Sequence, residues 1–264
     1  MTQQTQTILD RIVADKRSEL ASAKLRVPLA EMRSLAERAP SPRGFASALR
    51  GPAIALIAEV KKASPSRGVI REDFAPVWLA ERYTEGGAAA ISVLTETQHF
   101  QGRLDYLTAI REKLPSGPPL LRKDFLFDEY QVYEARNAGA DAILLIVAML
   151  EQPLLEDMMA AASGIGLDAL VEVHDEAEIQ RAVAANASLV GINNRDLRTF
   201  DVDLATTERL RPLAPPEATV VAESGIFTRA DVLRLERCGV NAVLIGEGVV
   251  TAPDPADKVR ELLG

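Results

Sequence analysis

Residues 55–68 read ALIAEVKKASPSRG, an apolar run suited to a buried strand that ends in Glu59, Lys61 and a Ser-Pro-Ser turn. An acid and an amine two residues apart share one face of a β-strand. If that face looks into a cavity, the pair can move a proton or neutralise a developing oxyanion. The same grammar recurs down the chain. LLRKDF carries Lys123 and Asp124, LVEVH carries Glu172 and His174, and GINNRD carries Asn193, Asn194 and Arg195. VAESG supplies Glu223 and Ser224, and LIGEG supplies Gly246 and Glu247. Charged residues often end a strand simply because the chain is about to surface. That explanation serves any single position but does poorly for the set, because the residues flanking the amino ends of the same runs read as small or apolar.

The elements that position these residues follow a rhythm. YTEGGAAAISVLTE, ARNAGADAILLIVA, VAANASLVGINNRD and LERCGVNAVLIGEG each read as a helix ending at Gly or Asn, then a short Ile/Val/Leu-rich strand. With ALIAEVKK, PPLLRKDF, LDALVEVH and ATVVAESG the candidate strands number eight, roughly twenty to thirty-odd residues apart. Continuous apolar strands alternating with helices imply a parallel sheet buried on both faces, and eight units favour a closed (βα)8 TIM barrel. The competing open doubly wound sheet would carry G-x-G-x-x-G after its first strand, and none is present. About fifty residues precede the first strand. Residues from about Thr7 to Lys24 place Ile8, Ile12, Val13 and Leu20 at helical spacing, and LAEMRSLAERA reads as a second helix stopped by PSPRG. The expectation is a single barrel domain over residues 1–264, of which about 1–50 is an N-terminal helical extension. That extension either lies across the barrel mouth or plugs a barrel face.

In such a barrel the chemistry sits at the carboxyl ends of the strands, where the polar residues above would meet. The glycines of AESGI and LIGEG fall at strands seven and eight, where backbone N–H groups bind phosphate in many barrels. A phosphorylated small molecule is the expected ligand. His174 reads as a capping or packing imidazole, and His99 has no partner nearby in sequence. The two histidines and one cysteine give no metal-ligand spacing. Cys238 reads as a buried small side chain near a helix end, and Trp78 as core.

The bulk properties exclude other classes. A length of 264 residues with 47% apolar and 26% charged residues suits one α/β barrel. A formal charge of −8 with interleaved signs offers no nucleic-acid surface. No apolar stretch is long enough to span a membrane, and the polar N-terminus does not read as a signal peptide. A single cysteine fits a reducing compartment. A cytoplasmic protein is expected, with monomer and weak homodimer equally compatible.

IAEVKKASPSRG, LLRKDF, LVEVH, GINNRDL, VAESGI and VLIGEG together resemble the indole-3-glycerol phosphate synthase family of tryptophan biosynthesis. The likeness extends to ILDRIVADKRSEL and PRGFASAL in the leading segment, and so covers nearly the whole chain. Gly248 and Val249 stand where the family more often has Ser or Ala and Leu. The resemblance implies closure of an indole ring on carboxyphenylamino-deoxyribulose phosphate with loss of carbon dioxide and water, without metal or organic cofactor. It maps Lys123 to the general acid and Glu172 to the general base. Lys61, held by Glu59, becomes a second lysine for the substrate carboxylate or phosphate, and Asn193 a hydrogen-bonding residue for sugar hydroxyls. Glu223, Ser224, Gly225, Gly246 and Glu247 form the substrate- and phosphate-binding set, with Arg195, Ser64 and the aromatic wall Phe125 as further contacts.

Two other readings stay open on the residues alone. A strand-end lysine could form a Schiff base with a phosphorylated ketose, as aldolases do, if burial lowers its pKa. A barrel that binds a phosphorylated metabolite without turnover is the non-catalytic alternative. An isomerase of phosphoribosyl anthranilate would want a strand-end Cys or Asp acid–base pair, where EVKK offers Glu and Lys.

Overall fold

The computed structural model describes residues 8–197 and 199–264. The eight apolar runs form strands β1 (Ala55–Val60), β2 (Ala90–Leu94), β3 (Leu120–Lys123), β4 (Ala142–Ile146), β5 (Asp168–Val173), β6 (Leu189–Asn193), β7 (Thr219–Glu223) and β8 (Ala242–Ile245). Each pairs in parallel with its neighbours in chain order, and β8 pairs with β1 to close the barrel. The leading segment folds as α1 (Ile8–Arg26), α2 (Leu29–Arg38) and the single turn α3 (Phe45–Ala48). Around the barrel run α4 (Pro76–Gly86), α5 (Asp105–Lys113), α6 (Glu129–Asn137), α7 (Gln152–Gly164), α8 (Glu176–Ala184), α9 (Ala205–Leu210), α10 (Arg229–Arg237), α11 (Glu247–Val250) and α12 (Pro255–Leu263). The chain re-enters the barrel after left-handed residues at Gly87, Gly139, Asn186 and Gly239, with φ of 93°, 92°, 57° and 79°. That conformation is open to glycine and asparagine at low cost and stops a helix where the next strand begins.

Alternation along the strands sorts the side chains into two populations. Leu56, Ala58 and Val60 of β1, with Val171 and Val173 of β5, face outward and pack with the helices in the larger core cluster. Ile57, Leu121, Leu170 and Val221 from the odd-numbered strands face inward as one apolar layer and pack on the next, Ala90, Ala142, Leu189 and Ala242 from the even ones. Two residues further along each odd strand, on the same inward face, stand Glu59, Lys123, Glu172 and Glu223. Layers contributed by alternate strands are the packing rule of this barrel. Here the layer that the odd strands contribute at the cavity floor is wholly ionisable.

The leading segment does both things expected of it in the alternative. Through α1 it borders the mouth, with Ile8, Leu9 and Ile12 lining the cavity there. Through α3 it closes the opposite end, where Phe45 and Leu49 are buried against Ile57, Ala90 and Leu189. The expected helix start at Thr7 lies outside the described residues.

Three expectations need correction. The amino end of the barrel is not small and apolar. Asp141 accepts from Arg43 N (2.7 Å) and Leu120 N (2.7 Å) and pairs with Arg111, while Asp168 accepts from Ala46 N (2.8 Å). These carboxylates anchor the α3 plug, and their partners lie far away in sequence. Trp78 is not core but 39% exposed, because the buried face of α4 runs through Leu79, Ala80, Tyr83 and Gly86, and Arg71 stacks over the indole at 5.1 Å. Cys238 is half-buried at the end of α10, with its thiol 3.3 Å from Arg234 O. Among the described residues no helix is long and apolar enough to cross a membrane.

Candidate active site

The mouth of the barrel gathers most of the strand-end residues named from the sequence, while His174 and Asn194 stand outside its lining. Glu59, Lys61, Ser64, Lys123, Phe125, Glu172, Asn193, Arg195, Glu223, Ser224, Gly225, Gly246 and Glu247 all line one cavity. At its floor the Lys123 ammonium lies between two carboxylates, 3.4 Å from Glu172 Oε2 and 3.3 Å from Glu223 Oε2. Lys61 Nζ stands 2.8 Å from Glu59 Oε1. Asn193 Nδ2 donates to Glu172 Oε1 (3.2 Å), and His174 Nε2 approaches the same oxygen at 3.2 Å.

Burial and these neighbours set the charges. Burial alone would favour the neutral amine of Lys123, but Glu172, Glu223 and Glu59 outweigh it and hold the ammonium well above the ordinary lysine range. Burial would likewise raise Glu172. The ammonium of Lys123, reinforced by His174 and Asn193, instead holds it well below the usual carboxylate range. Glu59 is depressed too, because Lys61 and Lys123 overcome its burial. Glu223 goes the other way, up to about 8, since burial and the nearby charges of Glu172 and Glu59 exceed what Lys123 offsets. One ammonium cannot neutralise two buried carboxylates at once. Glu172, with two further partners, keeps the charge; Glu223 keeps a proton at neutral pH.

This has a measurable consequence. A carboxyl whose folded pKa lies above its unfolded value binds more protons in the native state, so the stability it contributes is lost as pH rises from about 4.5 through about 8. Glu223→Gln should therefore flatten the fall in stability between neutral and mildly alkaline pH. Urea midpoints of the parent and variant across that range would measure it, and a parallel decline in both would count against a protonated Glu223.

Two glycines make the room. A Cβ at Gly191 would strike Glu223 Oε1, and one at Gly246 would strike Glu59 Oε1 and lie 2.8 Å from Lys61 Nζ. Gly191 was not singled out from the sequence, although a glycine inside LVGIN is the usual sign of a close approach in a strand. After β7, Ser224 and Gly225 both take positive φ, 67° and 78°. The serine is unusual in that region, and Asn194 Nδ2 holds its carbonyl at 3.2 Å while Asn194 Oδ1 accepts from Thr207 Oγ1 at 2.7 Å. After β8, α11 starts at Glu247, so its first N–H groups have no partner within the helix. The Glu247 carboxylate is engaged by Arg67 from the loop after β1. Arg195 Nη1 donates to Phe200 O (3.1 Å), and its backbone N donates to Asn193 Oδ1 (3.0 Å).

The apolar half of the cavity was mostly missed. Ile8, Leu9 and Ile12 enter from α1, with Phe100 and Leu197 from loops. Phe100 and Phe125 meet at 6.1 Å between ring centroids, tilted by 41°. The helical spacing of Ile8 and Ile12 signalled a packed face without saying what it faces, and Phe100 sits in TQHFQG without any periodicity. Asp124 turns away from Lys123 to a buried cluster of Lys16 (3.0 Å), Arg122 (3.2 Å) and Thr95 (2.6 Å), which ties α1 to the end of β3. Among the described residues, no group of three or more His, Cys, Asp or Glu is arranged to hold a metal ion.

Comparison with known proteins places this site in context. The family model described as indole-3-glycerol phosphate synthase matches residues 9–262. The indole-3-glycerol phosphate synthase of Dehalococcoides mccartyi (strain CBDB1) is 55% identical over 258 residues, covering 97% of this chain and all of that one. That of Roseiflexus castenholzii (strain DSM 13941 / HLO8) is 52% identical over 265 residues, covering 98% of each. Among solved structures, 3-hexulose-6-phosphate synthase from Salmonella typhimurium superposes with a TM-score of 0.65 at 16% identity, covering 79% of this chain and 96% of that one. At that identity the likeness is one of fold alone.

Proposed function

Because this chain belongs to the indole-3-glycerol phosphate synthase family, we propose that its barrel mouth performs that ring closure with Lys123 as general acid and Glu172 as general base. The enzyme is a carboxy-lyase of tryptophan biosynthesis that acts on a small phosphorylated substrate. It converts 1-(2-carboxyphenylamino)-1-deoxyribulose 5-phosphate to indole-3-glycerol phosphate, carbon dioxide and water.

The observation that carries the residue roles is the ionisable layer itself. The aromatic carbon bearing the carboxylate attacks the ketone carbon of the sugar chain, and the new C–C bond pushes an electron pair onto the ketone oxygen. An ammonium kept charged by carboxylates is placed to protonate that alkoxide. The ring nitrogen, now cationic, draws in the electrons of the C–CO2 bond as it breaks, and the aromatic ring is restored. Glu172, held as a carboxylate, stabilises the cation and then takes the proton whose loss accompanies departure of the hydroxyl as water. Lys61, held by Glu59, takes the substrate carboxylate or phosphate, and Asn193 the sugar hydroxyls. The amides around Ser224–Gly225 and Gly246–Glu247 hold phosphate. Phe125, with the apolar face of α1, walls the anthranilate ring, and Ser64 and Arg195 close the rim. A Schiff-base role would need Lys123 as the free amine, which the surrounding carboxylates disfavour.

The test is direct. Purified protein given the carboxyphenylamino-deoxyribulose phosphate in the presence of EDTA should yield a product with indole fluorescence. Binding of the substrate with no fluorescent product would overturn the reading in favour of a non-catalytic barrel, and a borohydride-trapped adduct on Lys123 or Lys61 would overturn it in favour of a Schiff base.

A further inference from the structure

We propose that His174 is a positioning residue that bridges Glu178 of α8 to Glu172 and keeps Glu172 oriented and ionised for its role as base. The inference rests on the assignment of Glu172 as base. It starts from a histidine that reads as mere packing in the sequence. His174 follows β5 directly, and its side chain is 11% exposed. Nδ1 lies 2.9 Å from Glu178 Oε2, and the same oxygen accepts the His174 backbone N–H at 2.8 Å. Nε2 is buried and stands 3.2 Å from Glu172 Oε1, a charge contact rather than an aligned hydrogen bond.

The chain is built to hold this bridge. Asp175 caps α8 and accepts from Glu178 N (2.9 Å), which sets Glu178 in the first turn with its carboxylate folded back over His174. Either neutral tautomer of the imidazole would point a lone pair at a carboxylate, toward Glu178 in one case and Glu172 in the other. Only the imidazolium presents N–H to both. The surrounding charges agree. Burial favours the neutral ring, yet Glu172 and Glu178 reverse it and carry His174 up to about 10. From α8, the Arg181 guanidinium donates to the carbonyls of Val147 (3.1 Å) and Leu150. Across Glu172 lie Lys123 of β3 and the neutral amide of Asn193 on β6.

The bridge bears on which carboxylate holds the charge. Glu172 and Glu223 share Lys123, and His174 faces Glu172. Without the imidazolium, Glu172 loses that advantage, and the proton otherwise resident on Glu223 competes for the base.

The experiment is a pH profile of kcat and KM for His174→Ala and His174→Gln in the full chain, with Glu172→Gln as control. In His174→Ala kcat should fall roughly tenfold at neutral and alkaline pH, where the orientation of Glu172 is lost, and the acid limb should begin at a higher pH than in the parent, with KM little changed. His174→Gln, which restores a neutral donor but no charge, should regain turnover at alkaline pH while keeping the shifted limb. An unshifted limb in His174→Ala, or an equal loss at every pH that His174→Gln does not relieve, would overturn the proposal and leave packing as the role. If Glu172→Gln turns over like the parent, the base assignment itself falls and the inference with it. An inactive Glu172→Gln beside an unshifted His174→Ala defeats the inference alone.

Discussion

Lys123→Ala is expected to lower kcat by about three orders of magnitude, within the range a positioned acid contributes. The loss should fall on kcat more than on KM, since the carboxylate and phosphate of the substrate have other partners in Lys61 and the backbone amides. The fold should survive. Removing the ammonium leaves Glu59, Glu172 and Glu223 facing one cavity, and buried like charges relieve themselves by taking up protons rather than by unfolding the barrel. Lys123→Arg separates two meanings of the residue. Arginine keeps the positive charge but does not release its proton at any working pH. If it restores most of the turnover, Lys123 acts as a fixed charge and not as an acid. Steady-state kinetics on both variants, with thermal melts as a check on folding, decide the matter.

Asp124→Ala should cost about 1–3 kcal/mol of stability, the loss of a charged hydrogen-bond partner from Lys16 and Arg122, which keep Glu19 (2.8 Å) and Glu134 (2.9 Å). The carboxylate is almost fully buried and faces Lys16, Arg122 and Thr95, while Lys16 is 5% exposed and cannot turn to water without displacing α1. Burial opposes the charge on Asp124, and Lys16 with Arg122 overcomes it, holding its pKa below the ordinary aspartate value. Its contribution is therefore fully present above the unfolded value near 3.8 and is lost as pH falls through the lower folded value. Urea unfolding at neutral pH measures the loss; a change under about 1 kcal/mol would mean that α1 docks without this cluster. Activity should fall as well, because α1 carries Ile8, Leu9 and Ile12 into the cavity.

The barrel and the membership of its mouth were legible because both follow from local rules. A strand buried on two faces must be apolar throughout, and a polar residue at its carboxyl end stands out. Period-two alternation then carries Ile57 to Glu59 and Leu121 to Lys123 on one inward face. What could not be read depends on groups brought together from afar. Lys16 reaches Asp124 across 108 positions. Glu178 lies only four residues from His174, yet its grip depends on the cap set by Asp175 and on the proximity of Glu172. Trp78 looked like core because an apolar residue beside Leu79 suits helical packing, but one step along a helix turns it off the buried face. The unlike states of Glu172 and Glu223 follow from several charges at once and have no signature in either motif.

The central claim is tested most directly by a crystal structure of the enzyme with indole-3-glycerol phosphate bound. The account predicts the phosphate against the amides of Ser224–Gly225 and Gly246–Glu247, the indole between Phe125 and the apolar face of α1, and Lys123 and Glu172 on the ring atoms formed in the reaction. A phosphate seated elsewhere, or a product that leaves Lys123 and Glu172 out of contact, would contradict it.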